Sequence, residues 1–231
     1  MQLVFIHGSG GTGRVWKHQL ERFTDALAIT LPGHPDGAHL GSIEKMTRWL
    51  RDELQKEGIS APVLAGHSLG GAIALQYALD HPGEAAGLCL VGSGARLRVH
   101  PATLGALENA IDAPETFTAM MADAWSKVDD DFAAEMRALS SELGPLPFLN
   151  DLKACDQFDV TDRLAEIDTP TLAVVGTADV MTPPKYSEFM RDRMPNASVE
   201  IIEGGTHFVF AEQPEPVNRA IAAFVERLGE A

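Results

Sequence analysis

Two cysteines are all that this chain of 231 residues carries, and they build no disulfide framework. Cys89 sits in an apolar run and Cys155 in a polar one, so two free thiols in a reducing compartment are expected. Long apolar runs are missing as well, and none is long enough to span a bilayer. The opening Met1-Gln2-Leu3-Val4-Phe5-Ile6-His7-Gly8 has no basic segment and too short an apolar run for a signal peptide. A cytoplasmic location with no membrane partner is therefore expected. Basic side chains are scarce, 18 Lys and Arg against 33 Asp and Glu, for a formal net charge of −15. Nucleic acid and anionic lipid surfaces are repelled by such a balance, so neither is an expected partner. No cluster of His, Cys and carboxylates has metal-ligand spacing, and no metal or other cofactor is expected.

What is present is an ordinary globular composition, 45% hydrophobic and 22% charged, at a length that suits one domain with an insertion. The stretch Pro62 to Tyr77, PVLAGHSLGGAIALQY, organises the rest. An apolar strand, Val63 to Ala65, runs through Gly66-His67-Ser68-Leu69-Gly70 straight into a helical pattern from Gly71 to Leu79. A strand that turns at once into a helix puts Ser68 on a tight corner, and glycines two residues either side keep that corner free of side-chain clash. Such an elbow strains the serine backbone and presents its hydroxyl beside a helix N-terminus.

Taken in order, Leu3 to Ile6 is a short apolar strand followed by His7-Gly8-Ser9-Gly10-Gly11-Thr12-Gly13 and a helix starting with Trp16, Leu20 and Phe23. The glycine-rich turn lacks the Gly-Lys-Ser/Thr of a P-loop. It does read G-x-G-x-x-G, but the second strand, Ala26 to Leu31, has no acid at its tip for a dinucleotide ribose. Ser42 caps a helix whose Ile43, Met46, Leu50 and Leu54 share one face. After the elbow helix, Ala86 to Val91 is a further strand ending in Gly92-Ser93-Gly94. This alternation argues for a parallel sheet with right-handed crossovers.

From about Ala95 to Asp162 no strand-like run appears, while apolar residues recur at helical spacing. These residues, 95–162, are expected to be a helical cap insertion over the sheet's C-terminal edge, with 1–94 and 163–231 forming the core. Met120, Met121 and Trp125 of the insertion, together with Phe208, are candidates for a substrate pocket. Asp129-Asp130-Asp131 reads as a solvated helix start. Order returns with a strand from Thr171 to Val175, a helix from Lys185 to Met194, a strand from Ser198 to Ile202 and a last helix from Glu215 to Leu228.

Loops after the C-termini of parallel strands share one edge of the sheet, so residues far apart in sequence converge there. Ser68, Asp179 and His207 each follow a strand in this way. A serine hydroxyl is a weak nucleophile until an imidazole takes its proton, and the imidazole needs a carboxylate to fix its tautomer. Asp159, Asp162 and Asp168 precede their strand, which leaves Asp179 as the acid. His67, His7 and His34 are read as structural groups that pack or anchor loops, with His7 and His34 as alternative site-lining groups, and Ser93 as a turn serine or, alternatively, a group that supports the site.

The chain resembles the α/β-hydrolase superfamily in its small carboxylesterase and lipase-like branch. The resemblance rests on His7-Gly8, Leu31-Pro32-Gly33-His34, Gly66-His67-Ser68-Leu69-Gly70-Gly71, Pro170-Thr171-Leu172 with Gly176 and Asp179, and Gly205-Thr206-His207 with Glu212-Gln213-Pro214. It implies an α/β fold with a mostly parallel six-stranded sheet and helices on both faces, minimal in lacking the two strands that usually come first. It also implies Ser68 as nucleophile, His207 as base, Asp179 as its partner, and the N–H groups of Ser9 and Leu69 as an oxyanion hole. The activity so implied is hydrolysis of small carboxylic esters through an acyl-enzyme, by a monomer or homodimer. A C–C bond or lactone hydrolase with the same triad, and a hydrolase-fold receptor with slow turnover, are the alternatives.

Overall fold

In a computed structural model, which describes residues 1–230, the apolar runs become six strands. They are β1 (Leu3–Ile6), β2 (Leu27–Ile29), β3 (Val63–His67), β4 (Gly87–Val91), β5 (Thr171–Gly176) and β6 (Ala197–Ile202). All are parallel, in the order β2-β1-β3-β4-β5-β6. Strands β1, β3, β4 and β5 are buried throughout, which is why they read as unbroken apolar runs rather than as alternation. The second strand is shorter than its expected span of Ala26 to Leu31. It lies at the sheet edge, where only Leu27, Ala28 and Ile29 find partners on β1.

The pleat separates two cores. Val4, Ile6, Leu64, Leu88, Leu90 and Ala173 face one side, where they meet α2 (Ile43–Lys56), α3 (Leu69–Asp80) and α8 (Pro184–Arg191). Leu3, Phe5, Val63, Ala65, Cys89, Val91, Leu172 and Val174 face the other, against α1 (Lys17–Arg22) and α10 (Pro214–Glu230). Helix α2 is amphipathic and starts at Ser42, whose hydroxyl accepts the Lys45 N–H. Helix α3 is buried all round from Leu69 to Leu79, which suits a helix covered on both sides.

Chain direction sets the location of any site. From β1 the chain crosses to β2 on one side, and from β3 it crosses to β4 on the other, although β1 and β3 are neighbours. The loops that leave their C-terminal ends therefore part, opening a crevice at the switch point of the sheet. Between β4 and β5 lie α4 (Pro101–Asp112), α5 (Pro114–Met121), α6 (Asp130–Leu143) and α7 (Pro145–Gln157). The two ends of this segment are tied together: Arg96 and Asp159 form an antiparallel bridge, and Val160 N–H donates to Ala95 at 2.8 Å. Asp129 caps α6 by accepting the Phe132 N–H, so the acidic run is a helix start. One element, the single turn α9 (Val209–Glu212), is too short to leave a periodic signature.

Helix α3 approaches the sheet so closely that glycine is obligatory. A Cβ on Gly66 would meet the backbone of Gly70 and Gly71, and one on Gly70 would meet the Ile6 carbonyl. Gly66→Ala is expected to cost at least about 3 kcal/mol by overpacking against main chain. Gly105→Ala, in α4 with open space around it, is expected to stabilise by about 0.5–1 kcal/mol. Urea unfolding of the two variants beside the wild type measures both.

Candidate active site

The elbow is strained where the sequence places it. Ser68 has φ 50° and ψ −110°, a conformation that L residues rarely adopt. Four hydrogen bonds hold it there. Its N–H donates to Val91 at 2.9 Å, its carbonyl accepts from Gly71 at 3.0 Å and Ala72 at 3.2 Å, and the Ser93 hydroxyl donates to the same carbonyl at 2.8 Å. Ser93 is thus more than a turn residue: it secures the corner on which Ser68 stands.

Asp179 follows β5 and is 3% exposed. Its Oδ1 accepts the N–H groups of Met181 and Thr182, both at 2.9 Å, and its Oδ2 accepts the Thr182 hydroxyl at 2.8 Å. The remaining donor is His207 Nδ1, 3.0 Å from Oδ2. Burial pushes the Asp179 carboxyl up, but His207 and the Thr182 donors outweigh it and hold the pKa down at about 2. Thr182 Oγ1 also lies 3.2 Å from His207 Nδ1; since its proton goes to Asp179, it accepts there. Both contacts place the ring proton on Nδ1 and leave Nε2 free to take another. Thr182 carried no signal in the sequence beyond standing three residues after the acid.

His207 is held from behind by His67, whose Nε2 donates to the His207 carbonyl at 2.9 Å. The two rings lie 4.7 Å apart. Burial, then the neighbouring His207, drive the His67 pKa well below its usual value, so His67 is a neutral donor and a support. His7 is likewise neutral: burial and the adjacent His34 lower it to about 4. Its Nε2 accepts the Leu31 N–H at 3.0 Å while Nδ1 donates to Gly8 at 2.8 Å.

His34 behaves differently. Its Nδ1 donates to Leu31 at 3.1 Å and its Nε2 to Asp151 Oδ2 at 2.8 Å. Burial alone would lower its pKa, but the Asp151 carboxylate and the carbonyls around it raise it above the usual value. The same Asp151 oxygen accepts the Gly10 N–H at 2.9 Å. Beside Gly10, the Ser9 N–H finds no acceptor among the described residues, and neither does the Leu69 N–H in the first turn of α3. Two such free donors, one after β1 and one after β3, suit a developing negative charge between them.

Ser68 and His207 line one cavity of about 310 Å³, whose apolar wall comes from Leu97, Val99, Phe148, Leu152 and Cys155. Met181 and Tyr186 stand at its other side. The four expected pocket residues are not among its lining. Met120 is 40% exposed. Met121 packs in the small core of α4, α5 and α7. Trp125 and Phe208 stack on each other with ring centroids 4.4 Å apart and belong to the core on the α10 side of the sheet. The reason is that α6, with Trp125 ahead of it, packs down on that core, and α7 is the helix that faces Ser68. Its Phe148, Leu152 and Cys155 recur at helical spacing, a signal that the sequence carried. Burial pushes the Cys155 thiol up to about 12, so the cavity holds no thiolate to compete with Ser68. Among the described residues there is no group of three or more His, Cys, Asp or Glu that could hold a metal ion, and no helix is long and apolar enough to cross a membrane.

A serine on a strand-to-helix elbow, with a histidine and an aspartate at later strand ends of a parallel sheet, is the architecture of a hydrolase with the α/β fold. The alpha/beta hydrolase family model matches residues 3–220, and the chain belongs to that family. It is 27% identical to the pimeloyl-[acyl-carrier protein] methyl ester esterase of Vibrio vulnificus, over 96% of this chain and 93% of that protein. It is 26% identical to a putative carbamate hydrolase, RutD, of Pseudomonas syringae, with the same coverage. Among solved structures, a thermophilic esterase is 31% identical with a TM-score of 0.81, covering 98% of this chain and 90% of that one.

Two outcomes are expected from this geometry. Ser68→Gly relieves the backbone strain while Ser68→Ala does not, so the glycine variant is expected to be the more stable by about 1 kcal/mol in urea unfolding. The Asp179 carboxylate, ordinarily at 3.8 and held at about 2 in the fold, contributes stability that is complete above its ordinary value and lost as pH falls toward 2. The gap in urea midpoint between wild type and Asp179→Asn is therefore expected to narrow from pH 5 to about pH 3; a constant gap contradicts the assignment.

Proposed function

We propose that this chain is a serine hydrolase of small carboxylic esters that works through an acyl-enzyme on Ser68. The observation that carries the reading is the Asp179–His207 hydrogen bond of 3.0 Å beside a strained Ser68 in the same cavity. His207 Nε2 takes the Ser68 proton as Oγ attacks the ester carbonyl, and the carbonyl electrons move onto oxygen. The N–H groups of Ser9 and Leu69 stabilise that oxyanion; each such donor is worth about 3–4 kcal/mol of barrier. The oxyanion collapses, the carbon–oxygen bond to the alcohol breaks, and His207 gives its proton to the leaving group. Water then enters, gives a proton to His207, and releases the acid in the same way.

Residues 95–162 act as the cap in this reading, with α7 and the stretch Leu97 to His100 facing the nucleophile. A cavity of about 310 Å³ with an apolar wall, and with Arg98 and His100 also in its lining, favours short acyl groups. The relatives described above are named as esterases and a carbamate hydrolase, which supports an enzyme over a receptor with slow turnover. Both cysteines are free and buried, in keeping with the cytoplasmic location that we propose.

Hydrolysis of p-nitrophenyl esters of increasing acyl length tests the proposal. Steady turnover is expected, fastest with short chains, and Ser68→Ala is expected to lose about 10⁴-fold or more in kcat. Equal rates for the two proteins sink the reading.

A further inference from the structure

No step of this mechanism uses Asp151, yet its carboxylate is buried at 1% exposed and joins three separate parts of the chain. It lies on α7. Its Oδ2 receives the Gly10 N–H from the loop after β1 and the His34 Nε2–H from the loop after β2. His34 continues to the Leu31 carbonyl, the Leu31 N–H to His7, and His7 to the Gly8 carbonyl. The hydrogen bonds thus close around Gly8-Ser9-Gly10 from both ends, and Ser9 between them carries a free N–H. The same helix lines the cavity through Leu152, next to Asp151, and through Phe148 and Cys155, one turn either side of it. Phe148 packs against Gly10 so closely that a Cβ there would meet its ring, and Cys155 Sγ lies 3.7 Å from Ser9 Oγ.

We propose that Asp151, paired with His34, is a positioning residue that holds the Ser9 N–H in register with the oxyanion and links it to the helix that contacts the acyl group. The proposal rests on the reading of the site as a serine hydrolase. The turn over Ser9 and Gly10 is closed by the Gly11 N–H on the Gly8 carbonyl at 3.1 Å, and Gly10, at φ 66°, has no side chain of its own, so the Asp151 carboxylate adds the hold on its N–H. A carboxylate is the strongest acceptor available for that N–H. Left alone, the same carboxylate would oppose a negative charge forming nearby and would be costly to bury; the imidazolium of His34 offsets both effects. A donor fixed in advance acts on the transition state and hardly on the bound substrate, so its loss falls on kcat rather than on KM.

The test compares a p-nitrophenyl ester with its thionoester, whose sulfur accepts hydrogen bonds poorly and so gains less from the oxyanion donors. Asp151→Asn is expected to lower kcat for the oxygen ester by about 10- to 100-fold, less than outright loss of a donor, with KM within about twofold. The ratio of oxygen-ester to thionoester kcat is expected to fall about tenfold. Met136→Ala, a core truncation in α6 away from the cavity, is expected to lower stability and leave that ratio unchanged. His34→Gln carries the same readout should Asp151→Asn fail to fold. A folded Asp151 or His34 variant with an unchanged ratio, or with KM raised and kcat intact, overturns the proposal. Ser68-dependent turnover in the wild type, measured alongside, separates that outcome from failure of the hydrolase reading itself.

Discussion

Everything at the site depends on how closely α3 lies on β1 and β3. No side chain fits between Gly66 and Gly70 or between Gly70 and the Ile6 carbonyl, so the chain passes from strand to helix without an intervening loop. That economy forces the one residue at the corner to a positive φ, and here it is a serine. The strain, of order 1–3 kcal/mol, is sustained by packing: α3 is buried all round, and the Ser68 peptide groups are tied to β4, to Ser93 and to the first turn of the helix. The helix that enforces the corner also leaves the Leu69 N–H without an acceptor among the described residues. Presentation of the hydroxyl and provision of a donor are therefore one structural fact.

The second constraint is the direction of the strands. All six run parallel, so every loop after a strand end falls on one edge, and the switch between β1 and β3 opens that edge at its middle. Asp179 and His207 come from neighbouring strands β5 and β6, and no helix is needed to bring them together. Thr182 and His67 do the finer work. One fixes the carboxylate and the ring proton with a single hydroxyl; the other holds the backbone of His207 through its carbonyl.

This division explains what was legible in the sequence. Strands buried on both faces appear as apolar runs, and Ser68 and Asp179 stand just after two of them, while His207 follows the half-exposed edge strand β6; the sheet, and the fall of all three residues at its C-terminal edge, could be read without coordinates. The roles of His7, His34 and His67 as supports were legible in outline, because only His207 follows the last strand. The pocket was not. Met120, Met121 and Trp125 have the right chemistry and helical spacing, but spacing reports that a face is buried and not what it is buried against. Asp151 was hidden for another reason: its partners lie 117 and 141 residues away, and a polar residue with distant polar partners leaves no periodic trace.

A buried ion pair is a poor way to gain stability, since the desolvation of two charges offsets most of their attraction. Its persistence beneath a reactive loop needs a different reason, and geometry supplies one. The helices between β4 and β5 are tied at their ends by the Arg96–Asp159 bridge, and α6 and α7 add apolar residues to the cores on the two faces of the sheet. Apolar contacts such as Phe148 on Gly10 tolerate sliding; a carboxylate shared by two N–H donors from two loops does not. One oxygen of Asp151 thus ties α7 to the loops after β1 and β2. Because α7 also forms the apolar wall of the cavity, a substrate that displaced the helix would disturb the loop carrying Ser9. Under the roles proposed for Ser9 and Asp151, fit of the acyl group and readiness of the oxyanion donor are coupled through a single side chain, so that selectivity acts on kcat without any change at Ser68.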